Sequence, residues 1–285
     1  MCRSPQFDVV YLYREAVLIG PALRERLARW RNPHLVYDFA NAIWLSCVSP
    51  RNRYLSHLKL PSKTKAICRM AAAVTVGNEA LADFARHYNP AVTVVPSIVS
   101  LRDYRPRPHS PAGGLPVIWM DWKPQLGSVP PSRPGRAPHA GPTAAPPGRR
   151  HRNRRPPSRG SRRGVPPVRA ETEVEDLSSI AVGIMPLFDD PWARGKCAMK
   201  AIQYLGLGVP AVVSPVGANR EVVGNGVCGF HAANEGEWVQ ALERLLDDGD
   251  LRFRMGVEGR HTVEGHYSAE VQAPRVGALL RSLRP

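Results

Sequence analysis

Two lysines and a glutamine recur at helical spacing near the middle of the stretch 179–223, and their side chains suit an anionic, hydroxyl-bearing ligand. Lys196, Lys200 and Gln203 fall on a predicted helix over 196–205. Lysines one helical turn apart can neutralise a diphosphate as it departs, although a solvated helix surface explains the same pair without a ligand. Gln203 can hydrogen-bond a sugar or ribose hydroxyl, or simply face solvent.

A second group of polar residues follows the next predicted strand, 211–213. Asn219 lies in the loop after this strand, and Glu221 lies near the start of the following helix. The loops at the carboxyl ends of parallel strands are where open α/β sheets bind ligands. Glu221 can therefore accept hydrogen bonds from sugar or ribose hydroxyls, although the helix dipole alone also favours an acid there.

Three further polar residues are candidates for a cleft. Asn78 and Glu79 open a predicted helix over 78–87, where capping by itself accounts for Asn78. Asp190 belongs to an Asp-Asp-Pro sequence that is also ordinary turn chemistry. No residue is assigned a catalytic role. His231 has no partner at metal-ligand spacing, so no metal site is predicted.

These candidates lie between regularly alternating strands and helices. Such alternation is typical of α/β proteins with parallel sheets. The predicted strands are 7–13, 35–39, 74–76, 92–95, 115–118, 180–187 and 211–213, and the predicted helices are 14–29 with a break near Pro21, 63–73, 78–87, 196–205, 235–246 and 251–266.

Several sequence motifs occur in order around the candidate residues. They are GIMPL (183–187), GKCAMKAIQY (195–204), SPVGANREVV (214–223) and GF (229–230). This series resembles the donor-binding half of the retaining, GT-B type group-1 glycosyltransferases. The resemblance implies two Rossmann-like domains and the transfer of a sugar from a nucleotide-sugar donor to an acceptor hydroxyl with retention. It also implies no cofactor beyond the nucleotide-sugar substrate, donor binding by Lys196, Lys200, Gln203, Asn219 and Glu221, and an acceptor that is a glycan, a lipid or a small molecule.

The sequence departs from this family in ways that make enzymatic activity uncertain. Many members carry two glutamates where this chain has Gly195 and Gln203, and aspartates where it has Ala40-Asn41 and Ser100. A complete acceptor-side domain of this type also has further βα units before Phe7. The alternative hypothesis is a non-catalytic remnant that still binds a nucleotide.

The resemblance and the composition together divide the chain into four parts. Residues 1–105 are predicted to form an incomplete acceptor-side domain, and 106–117 the linker and first strand of the second domain. Residues 118–169 are rich in proline and arginine, and 170–285 are predicted to form the nucleotide-sugar-binding domain, disrupted at its start.

The positive charge of the chain is concentrated in one segment. Of a formal net charge of +15, residues 118–169 carry +11, from eleven arginines, one lysine and one aspartate, which leaves +4 for the remainder. A disordered linker or a nucleic-acid-binding tail would explain this composition. Because no aromatic residues are interleaved with the arginines, we expect no specific nucleic-acid partner.

A shifted reading frame is a third explanation of the segment 118–169. The codons of residues 119–123, read one base later, encode Gly-Trp-(Ile or Thr)-Gly-(Ser or Asn). This is a glycine-containing loop of the kind expected after the strand at 115–118, so the segment is interpreted as frame-disturbed.

The remaining observations concern cellular context. The five cysteines, at 2, 47, 68, 197 and 228, have no metal or redox spacing. There is neither an apolar run of membrane-spanning length nor a signal-peptide pattern. We therefore expect a cytoplasmic protein, with peripheral association with a membrane left open.

Overall fold

The structure is a computed structural model that describes residues 7–16, 20–45, 60, 62–106 and 172–284, together with the backbone of 117–119. These residues form two four-stranded parallel sheets, with strand orders β1-β2-β3-β4 and β5-β6-β7-β8. The α/β class with two Rossmann-like units is therefore confirmed.

The first sheet is built from the amino-terminal third of the chain. Its central strands β2 and β3 are buried on both faces, which explains their nearly continuous apolar sequences. In order, the elements are β1 (Val10–Tyr13), α1 (Leu23–Arg31), β2 (Leu35–Phe39), α2 (Ser62–Met70), β3 (Ala73–Val76), α3 (Glu79–Arg86) and β4 (Val92–Val94).

The second sheet follows the linker at 96–106. Its strands pair in sequence order, so that Gly183 of β6 lies beside Ala211 of β7, and Ala211 beside Gly229 of β8. The elements are β5 (Val117–Trp119), α4 (Glu173–Ser178), β6 (Val182–Met185), α5 (Pro191–Arg194), α6 (Met199–Gly206), β7 (Ala211–Val213), α7 (Asn219–Val222), β8 (Gly229–His231), α8 (Glu235–Asp247), α9 (Gly249–His266) and α10 (Ala269–Ser282).

The carboxyl-terminal helices connect the second unit back to the first. Val99, in the linker, forms a parallel β-bridge with Ser268, immediately before α10. Further along, the Arg284 guanidinium lies 3.3 Å from the Asp8 carboxylate, near the start of β1. Both of these side chains are exposed, so the contact at Val99 is the more important of the two.

Several predicted boundaries were wrong. The helix predicted from Lys196 begins at Met199, because Ala198 adopts a left-handed backbone conformation with φ of 50°. The helix predicted over 14–29 begins at Leu23, and α10 was missed altogether because Pro274 interrupts its sequence pattern. The basic stretch after Trp119 and up to residue 171 lies outside the described residues.

The described part of the chain contains no helix that is both long and apolar enough to cross a membrane. It likewise contains no group of three or more metal-ligating side chains.

Helix α9 approaches α6 and the following turn closely, and glycine makes this possible. A β-carbon on Gly256 would overlap the carbonyl oxygen of Gly208, whereas one on Gly265, in the same helix, would meet nothing within 4 Å. We therefore expect Gly256→Ala to lower the free energy of unfolding by about 1–3 kcal/mol.

Gly265→Ala is the matched control, and it should leave stability unchanged or raise it by up to about 1 kcal/mol, since alanine favours a helix. Urea unfolding of both variants measures the difference. Equal effects would contradict the described packing of α9.

Candidate functional site

Two adjoining cavities lie where the carboxyl ends of the strands of both sheets face each other, and together we call them the cleft. The larger, of about 290 Å³, lies between the start of α3 and the loops after β6 and β7. The smaller, of about 210 Å³, extends towards the end of α9 and the first turns of α10. Asn78, Ala218 and Glu221 line both.

Asn78 joins the two units across this cleft. Its side-chain oxygen accepts a hydrogen bond from the Leu81 N–H at 2.9 Å and so caps α3. Its amide nitrogen donates to the carbonyl oxygens of Arg194, at 3.0 Å, and Lys196, at 2.9 Å. Because Asn78 is only 2% exposed, these groups cannot exchange their partners for water. The predicted cap is confirmed, and the two bonds to the other unit add a second role.

The loop held by Asn78, residues 195–198, is packed tightly against the first unit. A β-carbon on Gly195 would lie 2.8 Å from that of Ala42, and one on Gly77 would overlap the Cys197 sulfur. The Cys197 thiol donates to the Ala40 carbonyl oxygen at 3.3 Å, and burial raises the pKa of this thiol to about 12. Cys197 therefore acts as a packing residue and stays protonated.

Lys196 is the cation that this loop supplies. Burial lowers the pKa of its ammonium group to about 8, and the nearby Asp190 carboxylate partly opposes the shift. Asp190 also caps α5, because its Oδ1 accepts from the Ala193 N–H at 2.7 Å. Lys196 is therefore a half-buried cation beside Asp190.

The acidic residues of the cleft lie together at its edge. Glu221 lines both cavities, and its pKa is raised first by burial and then by the charge of Glu79. Glu79 is paired with Arg86 at 2.8 Å on the exposed side of α3. Glu221 is thus the acidic side chain placed to accept hydroxyl hydrogen bonds within the cleft.

The other predicted donor residues lie elsewhere on the second unit. The Lys200 ammonium pairs with Glu173 of α4 at 2.6 Å, and Gln203 donates to the Tyr104 hydroxyl at 2.5 Å. Neither residue lines the two cavities. Asn219 is 1% exposed and donates to the Ser214 carbonyl oxygen at 3.0 Å, which fixes the loop after β7. Of the predicted site residues, only Asn78 and Glu221 line the cavities. Lys196 and Asp190 interact through their charges beside the cleft, and so do Glu79 and Glu221.

Gln203 has one unsatisfied group. It is 3% exposed, and its Oε1 has no hydrogen-bond partner among the described residues. Tyr104, its partner, belongs to the linker, whose position is further fixed by Arg260 through the Tyr104 and Gly206 carbonyl oxygens. In this structure, Gln203 connects α6 to the linker.

The sequence analysis missed Arg194 as a cleft residue. Its guanidinium forms two hydrogen bonds with the Asp189 carboxylate, at 2.6 and 3.1 Å, and lowers the pKa of that group. Both residues line the larger cavity. Asp189 precedes the four-residue helix α5, and Arg194 is the last residue of that helix. So short a helix has little apolar periodicity in its sequence.

Residues 165–248 match the family model described as "Glycosyl transferases group 1". No curated protein matches the chain. The solved structure of HepE from Anabaena, in complex with UDP and glucose, has a TM-score of 0.66 and 13% identity, over 98% of this chain and 79% of HepE.

The fold is GT-B. Sucrose-phosphate synthase from Thermosynechococcus elongatus gives a TM-score of 0.63 at 16% identity, over 98% of this chain and 74% of the synthase. A glycosyltransferase from Rickettsia africae gives a TM-score of 0.58 at 10% identity, over 98% of this chain and 78% of that glycosyltransferase. The predicted resemblance is thereby confirmed for the GT-B fold and for the segment 165–248, which contains α4 to α8.

The role of Asn78 can be tested with a nearly isosteric change. In Asn78→Asp the cap of α3 is retained, but the two donors to Arg194 and Lys196 are replaced by a carboxylate that faces their carbonyl oxygens. We expect the free energy of unfolding to fall by at least about 2 kcal/mol, because buried acceptors lose their partners. Denaturant unfolding measures the change.

Asp248→Asn provides the matched control at the exposed cap of α9, where Asp248 Oδ1 accepts from the Leu251 N–H at 2.8 Å. Asparagine and aspartate cap helices about equally well, so this variant should be close to neutral. Equal stability of the two variants would contradict the joining role of Asn78.

Proposed function

We propose that this protein binds a nucleotide sugar in the cleft and transfers the sugar, with retention, to an acceptor hydroxyl. The observation that carries the proposal is the placement of Lys196. It lies in the tightly held loop between α5 and α6, within the segment that matches the glycosyltransferase family model. The ligands named for HepE, UDP and UDP-glucose, suggest a uridine nucleotide as the first probe.

The chemistry of the cleft supports a diphosphate leaving group. The Lys196 ammonium supplies positive charge, and the N-cap residue of α6, Ala198, offers no side-chain acceptor to the N–H groups of the first turn. Helix N-termini and basic side chains stabilise negative charge that develops on a phosphate. Glu221 is placed to accept hydrogen bonds from hydroxyl groups of the sugar or the ribose.

We also propose that turnover is slow. The two positions at which many family members carry glutamates hold Gly195, packed against Ala42, and Gln203, bonded to Tyr104. Neither can place a carboxylate in the cleft. A misplacement of the reacting groups by about 1 Å can lower the rate on the order of a hundredfold. We therefore expect a cleft without these acids to bind the nucleotide sugar but to transfer the sugar slowly.

The binding step is tested by calorimetric titration of the full chain with uridine, adenosine and guanosine diphosphates. Lys196→Gln should weaken binding of the preferred diphosphate roughly tenfold to hundredfold, because it removes a charge-assisted contact. Lys65→Gln, on α2 rather than in the loop 195–198 that borders the cleft, removes the same charge as a control and should have no effect.

The transfer step is tested separately by release of sugar from the corresponding donor. Nucleotide binding with little sugar release supports the slow-enzyme proposal, whereas binding with no release favours the non-catalytic alternative. If none of the three diphosphates binds, the proposal is wrong.

The lowered pKa of Lys196 predicts how binding depends on pH. Affinity for the diphosphate should be constant between about pH 7 and pH 8 and then fall by up to tenfold per pH unit, because the free protein loses the ammonium proton there. The phosphate itself titrates near pH 6, below this window. Calorimetry across the range measures the profile.

Lys196→Arg keeps its charge throughout this range, so its affinity should not fall above pH 8.

The stability of the unligated protein should change with pH in the opposite direction to the affinity. Since the lysine pKa is about 8 in the folded state and 10.5 in the unfolded state, stability should rise with pH between these values. The same pH profile in Lys196→Arg as in the original protein would contradict the assignment.

A further inference from the structure

Helix α1 (Leu23–Arg31) presents a strip of apolar side chains to solvent. Leu23 is 63% exposed, Leu27 43% and Trp30 79%. Their spacing of four and three residues places all three on one face of the helix. Exposing a tryptophan and two leucines together is costly in water, which indicates a surface that a partner covers.

Exposed arginines border this strip on both sides. Arg26 lies along one border, and Arg24 and Arg31 lie along the other, as the helical repeat requires. The Arg31 guanidinium also lies 5.9 Å from the centre of the Trp30 ring. The exposed face of α1 therefore combines an apolar centre with a cationic border and carries no acid.

The opposite face of α1 is the one that packs on the protein. Glu25, the only acidic residue of the helix, is 1% exposed and pairs with the Lys63 ammonium of α2 at 3.0 Å. The Arg29 guanidinium donates to the Met70 carbonyl oxygen at 2.7 Å. These contacts fix the rotation of α1, so its apolar strip cannot turn inward.

We propose that the exposed face of α1 docks onto the anionic headgroup layer of a lipid bilayer. Leucine and tryptophan side chains insert at the boundary between headgroups and acyl chains, and arginines beside them pair with anionic lipid. Association with a second copy through the same face would bring Arg24, Arg26 and Arg31 close to their counterparts, which charge repulsion opposes. The charge pattern thus favours lipid over a copy of this chain.

The test must measure insertion as well as attraction, because the arginines of 118–169 will also attract anionic vesicles. The full chain is mixed with vesicles of phosphatidylcholine and phosphatidylglycerol, some with brominated acyl chains that quench nearby tryptophans. Since Trp119 and Trp122 lie in that basic segment, the readout is the decrease in quenching when Trp30 is replaced. We expect a clear decrease in Trp30→Phe, which keeps an apolar ring and remains bound in a sedimentation assay.

Two further variants separate the apolar and charged parts of the face. Leu23→Ser/Leu27→Ser should lower quenching to the level of Trp30→Phe. Arg24→Gln/Arg31→Gln should weaken vesicle binding roughly twentyfold to thirtyfold, at about fivefold for each arginine near the surface. Phe253→Ser is the matched control, since Phe253 is 73% exposed between two arginines on α9 but is not part of α1. It should change neither readout.

Quenching that is equally strong in Trp30→Phe, or that is absent from the original protein, would overturn the proposal. A change of oligomeric state in Leu23→Ser/Leu27→Ser, without a change in vesicle insertion, would instead assign the face to a second copy. All of the substituted side chains are exposed, and unchanged thermal unfolding confirms that the variants fold. Diphosphate affinity should also be unchanged, so failure here leaves the proposed function untouched.

Discussion

The side chain of Asn78 is the interaction on which the rest of the site depends. It satisfies three backbone groups at once, one at the start of α3 and two in the loop that leads to α6. Each of these groups is buried or partly buried, and a buried polar group without a partner costs about 1–3 kcal/mol. The position of Lys196 relative to the first unit is therefore set largely by one amide.

The tight junction around Asn78 also explains which side chains the loop can carry. Gly77 and Gly195 leave no room for larger residues, and Cys197 fills the remaining space against Ala40. The loop carries one charged side chain, Lys196, beside the cleft, and Glu221 lines both cavities. This is a sparse set for catalysis, and the proposed role of these residues is to bind a diphosphate.

Local sequence patterns predicted the strands well and the site only in part. Strands β2, β3 and β7 were predicted because buried parallel strands are continuously apolar. The start of α6 was misplaced because a left-handed alanine at 198 has no sequence signature. The cap at Asn78 is a local feature and was predicted, whereas its bonds to the loop, and the bond of Gln203 to Tyr104, join residues about a hundred positions apart. Local patterns carry no information on such contacts.

Amide hydrogen exchange of the full chain, with and without uridine diphosphate, tests most directly whether this junction is also the ligand site. If Lys196 and the start of α6 bind the diphosphate, protection should increase over residues 195–203 and, through Asn78, over the first turn of α3. Helix α8, which lines neither cavity, serves as an internal reference and should change little. Binding that leaves exchange at 195–203 unaltered, or that protects only other parts of the chain, would contradict this account.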